Sequence, residues 1–244
     1  ANRVLFEGDS LLNVNKKKWQ GLRGNKIGMV FQEPQSSLNP SMRCGKQLLE
    51  VLQQHTNLSK KEQKIKIIEA LKEVQLPDPG RIFKSYPHQI SGGQKQRVMI
   101  AMALLCHPKL LIADEPTTAL DVTVQKEIIE LLKGLQKKRN MSVLFISHDL
   151  ALVKQLADRV AVMYQGKIIE ENSTQQLFNK PTEPYTKGLL FARPSTTKRL
   201  HPLPTLDDYQ SGTFEAHNQT AKERSDQHKK LYSQTPLLEV KEIE

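Results

Sequence analysis

The chain has 244 residues, 38% apolar and 25% charged, with a formal net charge of +10. That length buries a sizeable core and fits one domain with additions. Its longest apolar stretch, Val98–Cys106, is too short to span a bilayer, and the isolated Cys44 and Cys106 form no disulfide framework or zinc motif, which points to a reducing cytosol.

The basic balance admits a nucleic-acid partner, an anionic membrane leaflet or a solvated lysine surface. The lysines are scattered (Lys16–Lys18, Lys60-Lys61, Lys137-Lys138) without interleaved aromatics, which favours the solvated surface. The opening Ala1-Asn2-Arg3-Val4 has no methionine and no basic-then-apolar leader, so the chain reads as processed or as an excerpt. In chain order, Val4-Leu5-Phe6-Glu7-Gly8 reads as a short strand, followed by a polar segment to Arg23. Ile27–Phe31 is a second apolar strand ending at Gln32, and Glu33-Pro34 and Ser37-Leu38-Asn39-Pro40 follow. From about Pro34 to Cys106 helical periodicity replaces the strand signals. Ser59-Lys60-Lys61-Glu62 forms a capping box, and Ile65, Ile68, Leu71 and Val74 mark one face of the helix behind it. Pro77-Asp78-Pro79-Gly80 stops that helix, and Tyr86-Pro87-His88-Gln89 leads onward. His88 reads as a polar loop residue rather than a catalytic one.

Residues 90–121 organise the rest. Ser91-Gly92-Gly93-Gln94 opens a helix whose apolar positions are Val98, Ala101, Met102 and Leu105. A glycine-rich turn at a helix N-terminus presents backbone N–H groups and the positive end of the dipole, which suits a phosphate. Leu110–Ala113 is short and apolar, as a buried parallel strand is, and it ends in adjacent carboxylates, Asp114 and Glu115. Open α/β sheets carry their chemistry at such strand ends. After Asp121, Val124, Ile128, Leu131, Leu132 and Leu135 trace a helix, and the strand Ser142–Ile146 delivers Ser147-His148-Asp149. Leu150–Ala157 is helical, Gln165-Gly166 joins Val160–Tyr164 to Lys167–Glu170 as a hairpin, and Thr174–Phe178 is a short helix. From Arg193 to about Pro236 the composition is that of a flexible linker, with His201, His217 and His228 too far apart for a metal site. Leu237-Leu238-Glu239-Val240-Lys241-Glu242-Ile243-Glu244 alternates like a strand.

These motifs, at their spacing, resemble those of ATP-binding cassette (ABC) ATPases. Ser91–Gln94 resembles the signature motif, Leu110–Asp114 the Walker B strand, Glu115 the catalytic glutamate, Ala119-Leu120-Asp121 the D-loop, Gln32 the Q-loop and His148 the H-loop. The resemblance implies an α/β P-loop NTPase core over 1–33 and 107–180, with a helical subdomain over 34–106 ending in the signature. Ser37-Leu38-Asn39-Pro40 and the segment 181–193, with Pro184-Tyr185-Thr186-Lys187-Gly188-Leu189-Leu190, resemble the dipeptide and oligopeptide importer branch, closest in type to tandem Yej, microcin C-type importers. On that reading 194–236 is the linker and 237–244 opens a second cassette. The cysteine cluster many branch members carry is absent, so no iron–sulfur site is carried over.

The resemblance further implies ATP and Mg²⁺. Glu115 is the general base or water-orienting group and His148 supports the γ-phosphate. Gln32, Ser91, Gly92, Gly93, Gln94 and Asp121 serve the nucleotide, with Asp114 and Gln32 toward the metal. Implied partners are a second cassette, transmembrane permease subunits and an external substrate-binding protein, at the cytoplasmic face of the inner membrane, with no nucleic acid. No G-x-x-x-x-G-K-[ST] occurs, so the Walker A loop is expected upstream of Ala1, and the chain alone is expected to hydrolyse little ATP. Two alternatives stand beside the peptide-import ATPase. One is an ABC-type ATPase acting on nucleic acid or ribosomes; the other is a partial cassette that only lends its signature to a partner.

Overall fold

A computed structural model describes residues 3–32, 37–118, 120–192, 200–201, 203, 205–212 and 217–235. Glu33-Pro34, Ala119 and the expected terminal strand 237–244 lie outside the described residues. The chain divides into two compact units, Ala1–Leu156 and Ala157–Glu244.

The first unit opens with β1 (Leu5–Phe6) and β2 (Asp9–Ser10), an antiparallel pair. Glu7 and Gly8 between them both have positive φ, 52° and 87°, the backbone that tight hairpins need. The segment to Arg23, polar by composition, contains the helix α1 (Lys16–Leu22), with Asn15 as its N-cap. Its apolar residues, Trp19 and Leu22, are too few to register a period. Next come β3 (Ile27–Val30), the helices α2 (Cys44–His55), α3 (Lys60–Glu73) and α4 (Pro79–Lys84), and a 3₁₀ turn at Pro87–Gln89. They are followed by α5 (Gly92–Leu104), β4 (Leu110–Asp114), α6 (Val122–Arg139), β5 (Ser142–Ile146) and α7 (Leu150–Leu156).

Strands β3, β4 and β5 form a parallel sheet with β4 in the centre, Val30 opposite Ala113 and Asp114 opposite Ile146. One face buries Val30, Leu111 and Ala113. Gly28 lets α5 close on β3, because a Cβ there would stand 2.5 Å from the Ala103 carbonyl oxygen. Leu48, Leu52, Ile67, Leu71, Ile82, Ile100 and Leu104, all essentially inaccessible, join α2–α5 into one core. Burying such a side chain is worth about 1.5–3 kcal/mol. The buried face of α3 is Gln63, Ile67, Ala70 and Leu71, with Val74 at the C-cap; Ile65, expected inside, is half exposed. Gln63 donates to the Leu58 carbonyl at 3.0 Å, while its buried Oε1 has no hydrogen-bond partner, so the polar residue rather than an isoleucine occupies that turn of the stripe. The expected capping box on Ser59 and Glu62 is present.

The second unit holds the hairpin β6 (Arg159–Tyr164) and β7 (Lys167–Ser173), turned by Gln165 and Gly166, both at positive φ. Helices α8 (Thr174–Asn179) and α9 (Pro184–Phe191) follow. Glu170, nearly buried, accepts from the Thr182 N–H and hydroxyl and from the Glu183 N–H, tying β7 to the approach to α9. Within the stretch of linker composition, the described residues include β8 (Leu200–His201) paired with β9 (His217–Asn218), and the helices α10 (Leu206–Ser211) and α11 (Ala221–Tyr232). Both helices start at capping boxes, Thr205 with Asp208 and Thr220 with Glu223, a local device that needs no apolar period. None of the residues of α11 is buried.

Candidate active site

The parallel strands bring their C-terminal ends to one edge of the sheet, and the chain after each strand supplies a polar side chain there. Gln32 follows β3, Asp114 ends β4, Glu115 comes next, and His148 follows β5. The Glu115 N–H donates to the Ile146 carbonyl at 2.9 Å, which pins the residue to the end of β5. Its φ of 43° is left-handed, a conformation a glutamate adopts only when its surroundings impose it.

The carboxylate is the meeting point. Oε2 accepts from Gln32 Nε2 at 2.9 Å and from the Thr118 hydroxyl at 3.0 Å, and Oε1 lies 2.9 Å from His148 Nδ1. The His148 contact foremost, then the Thr118 hydroxyl, hold the Glu115 carboxyl below the usual carboxylate range. It is therefore an anion at neutral pH, and all three partners donate to it. With Nδ1 engaged on Glu115, the other ring nitrogen of His148, Nε2, is left for a second partner. Three candidates from the sequence, Gln32, Glu115 and His148, thus form one hydrogen-bonded cluster. Thr118 completes it; its only sequence signal is its place three residues after the glutamate.

Ser91, Gly92, Gly93, Gln94 and Asp121 make a second group. Ser91 caps α5: its hydroxyl accepts from the Gln94 N–H, while Gln94 Oε1 accepts from the Ser91 N–H. Such a cap is worth about 1 kcal/mol. Asp121 caps α6 in the same manner, accepting from the Val124 N–H at 2.9 Å. The two helix starts touch: a Cβ on Gly93 would meet Val124 Cγ1 at 2.9 Å, and one on Gly92 would meet Leu120 at 3.7 Å. Glycine is required at 93 by that approach. Arg97, one turn along α5, donates to the Val74 carbonyl at 2.9 Å and to Glu127 at 2.8 Å, locking α5 to α3 and α6.

Among the described residues, no group of three or more His, Cys, Asp or Glu side chains could hold a metal ion unaided. Asp114 and the Gln32 carbonyl oxygen are hard oxygen donors of the kind Mg²⁺ takes, and Gln32 leaves that oxygen available because its NH₂ serves Glu115. So sparse a donor set fits an ion that arrives on phosphate oxygens.

The chain is similar to known proteins in sequence and in fold. A family model described as ABC transporter matches residues 1–118. The oligopeptide transport ATP-binding protein OppD of Bacillus subtilis (strain 168) is 52% identical over 192 residues, covering 79% of this chain and 54% of that protein. The dipeptide transport ATP-binding protein DppD of Escherichia coli (strain K12) is 44% identical over 218 residues, 89% of this chain and 67% of that protein. The chain thus spans little more than half the length of the first of these relatives. Among solved structures, the ATP-binding cassette MJ0796, in a dimeric post-hydrolysis state bound to ADP and Pi, superposes with a TM-score of 0.63 at 29% identity, over 70% of this chain and 73% of that one. With its strand-end carboxylates, its capped glycine-rich helix start and these relatives together, the chain belongs to the ABC transporter ATP-binding family.

Proposed function

We propose that this chain is the larger part of an ATP-hydrolysing cassette that drives import of peptides across the inner membrane. The observation that carries the reading is the Glu115 carboxylate, ionised and held by Gln32, His148 and Thr118 at the C-terminal end of a parallel strand. The kinship with peptide-transport ATP-binding proteins supports the cargo class.

In this mechanism two cassettes face each other with ATP between them. A Walker A loop would hold the phosphates from one side; Ser91, Gly92, Gly93 and Gln94 of the opposing cassette hold them from the other. Asp114, with the Gln32 carbonyl, would hold Mg²⁺, which when bound neutralises charge developing on the phosphates. Glu115 accepts a proton from the attacking water or orients it, a role worth about 10²–10⁴ in rate. Its three donors fix the carboxylate so that little reorganisation remains at the moment of reaction. His148 spans from Glu115 by Nδ1 and reaches toward the γ-phosphate by Nε2. Asp121 stands at the helix start beside the signature and communicates across the pair.

Among the described residues no helix is long and apolar enough to cross a membrane. In this reading the cassette acts as a peripheral subunit on the cytoplasmic face, docked through its helical region on permease subunits that receive peptide from an external binding protein, and the kinship with peptide-transport ATP-binding proteins supports that placement. The test is Glu115→Gln in the complete protein. ATP should still bind while hydrolysis all but ceases; wild-type turnover would overturn the assignment.

A further inference from the structure

Gln96 lies on α5, four residues after Gly92 and three after Gly93, and so on their side of the helix. It is 0% exposed, and neither its Nε2 nor its Oε1 has a hydrogen-bond partner. A dry, unpaired amide costs about 1–3 kcal/mol. Methionine or leucine would fill the same space without that cost, as Ile100 does one turn further on. Helical side chains lean back over the preceding turn. The Gln96 amide is thereby level with the signature glycines, where Gly92 faces Leu120 and Gly93 faces Val124.

The facing segment is held by a different glutamine. Gln125 Nε2 donates to the carbonyls of both Thr117 and Leu120, each at 3.2 Å, long contacts shared by one NH₂ group. Thr118, the next residue after Thr117, donates to Glu115. A shift of this segment therefore moves a hydrogen bond on the proposed base. The two carbonyls share one NH₂ group at the long end of hydrogen-bond distance, and one turn into the helix that begins at the facing glycines a buried amide has nothing to donate to.

We propose that Gln96 is a positioning residue: when nucleotide engages Ser91–Gln94, the carbonyls of Thr117 and Leu120 pass from Gln125 to Gln96, fixing the signature helix against the segment that carries Thr118 and Glu115. This rests on the ATPase reading above. The orphaned amide is the cost of the resting state, and its hydrogen bonds belong to the engaged one.

The test measures ATP turnover, KM and thermal midpoint of the complete protein carrying Gln96→Met or Gln96→Leu, beside Glu115→Gln. Removing an orphaned polar group should leave the midpoint equal to or above wild type. KM for ATP should stay within about twofold while kcat falls at least about tenfold, the pattern of a contact made only on the way to the transition state. Adding Gln125→Met should cost little more, because both glutamines act on the same two carbonyls. Wild-type kcat in both Gln96 variants, with Glu115→Gln inactive, overturns the inference alone. A lowered midpoint with unchanged kcat also overturns it, since the amide would then be satisfied by a buried water. Wild-type turnover in Glu115→Gln overturns the ATPase reading and this inference together.

Discussion

Two glutamates bracket β4 and are held in opposite ways. Glu115 follows its last residue; Glu73, the last residue of α3, is bonded beside the stretch that leads into it. Glu73 lies against Arg139 and Lys138, and Arg139 also donates to the Leu104 carbonyl at 2.6 Å. Its side chain is 17% exposed and that of Arg139 11%. Arg139 first of all holds the Glu73 carboxyl below its usual range, against the opposing effect of burial. Glu115 is depressed too, but by an imidazole, a hydroxyl and an amide. A carboxylate neutralised by permanent cations is spent on structure. One fixed by groups of no permanent charge keeps its own charge for a proton or a water, and its partner His148 is 76% exposed.

The largest effect expected from this contrast is on chemistry without stability. Glu115→Gln should lower turnover by about 10²–10⁴ while the folding midpoint stays near wild type. Glu73→Gln should do the reverse. Leaving the mostly buried Arg139 without its anion should cost about 2–3 kcal/mol, less than the loss for a fully dry pair, with ATP turnover per folded molecule unchanged. Urea titrations and ATPase assays on both variants separate the two; a Glu73 variant that loses turnover but not stability would erase the distinction.

Acid should reveal the same structural site. Burial, then Arg139 and Lys66, push His107 below its ordinary pKa, so the fold favours its neutral form. A depressed pKa contributes stability that is full above the unfolded value and is lost as pH falls through the folded one. His107 should therefore stop contributing as pH drops below about 6.5, and Glu73 only below about 4.3. Chemical denaturation between pH 8 and pH 4 should show the first loss, and His107→Asn, which tolerates the positive φ there, should flatten it. A stability flat from pH 8 to pH 5 in the wild type would contradict this.

The placing of these side chains at the sheet edge was legible in the sequence because each part is local: Gln32, Asp114-Glu115 and His148 each end an apolar run, and Ser91 to Gln94 is a cap written in four residues. What joins them is not local. The bonds from Gln32 to Glu115 and from His148 to Glu115 span 83 and 33 residues, and only the resemblance to a family hinted that they meet. Thr118 was missed because a threonine in a turn is ordinary until its hydroxyl has somewhere to point. Helix α1 escaped because two apolar residues make no period, and Ile65 misled because an isoleucine at helical spacing outweighs a glutamine on paper. Gln63 takes the inside position only because the Leu58 carbonyl is there to receive it.

Thr118 offers a finer probe of how Glu115 is held. Thr118→Val keeps the shape and removes one neutral donor, worth about 1 kcal/mol, so turnover should fall about fivefold with KM unchanged. Loss as large as that of Glu115→Gln would mean that Thr118 touches the reacting water itself.

The smallest effect concerns the two faces of the sheet. Val30, Leu111 and Ala113 are fully covered, whereas Met29, Leu144 and Ile146, on the other face, are 40–52% exposed. Parallel strands are ordinarily covered on both sides. Leu144 already meets water in this chain, so Leu144→Ser should change its stability by no more than about 0.5 kcal/mol, while Leu111→Ala should cost about 2–5 kcal/mol. In the complete protein the same Leu144→Ser change should become costly if further polypeptide rests on that face. Denaturation curves for this one substitution in both lengths would show whether the exposed leucine is a surface residue or half of a core.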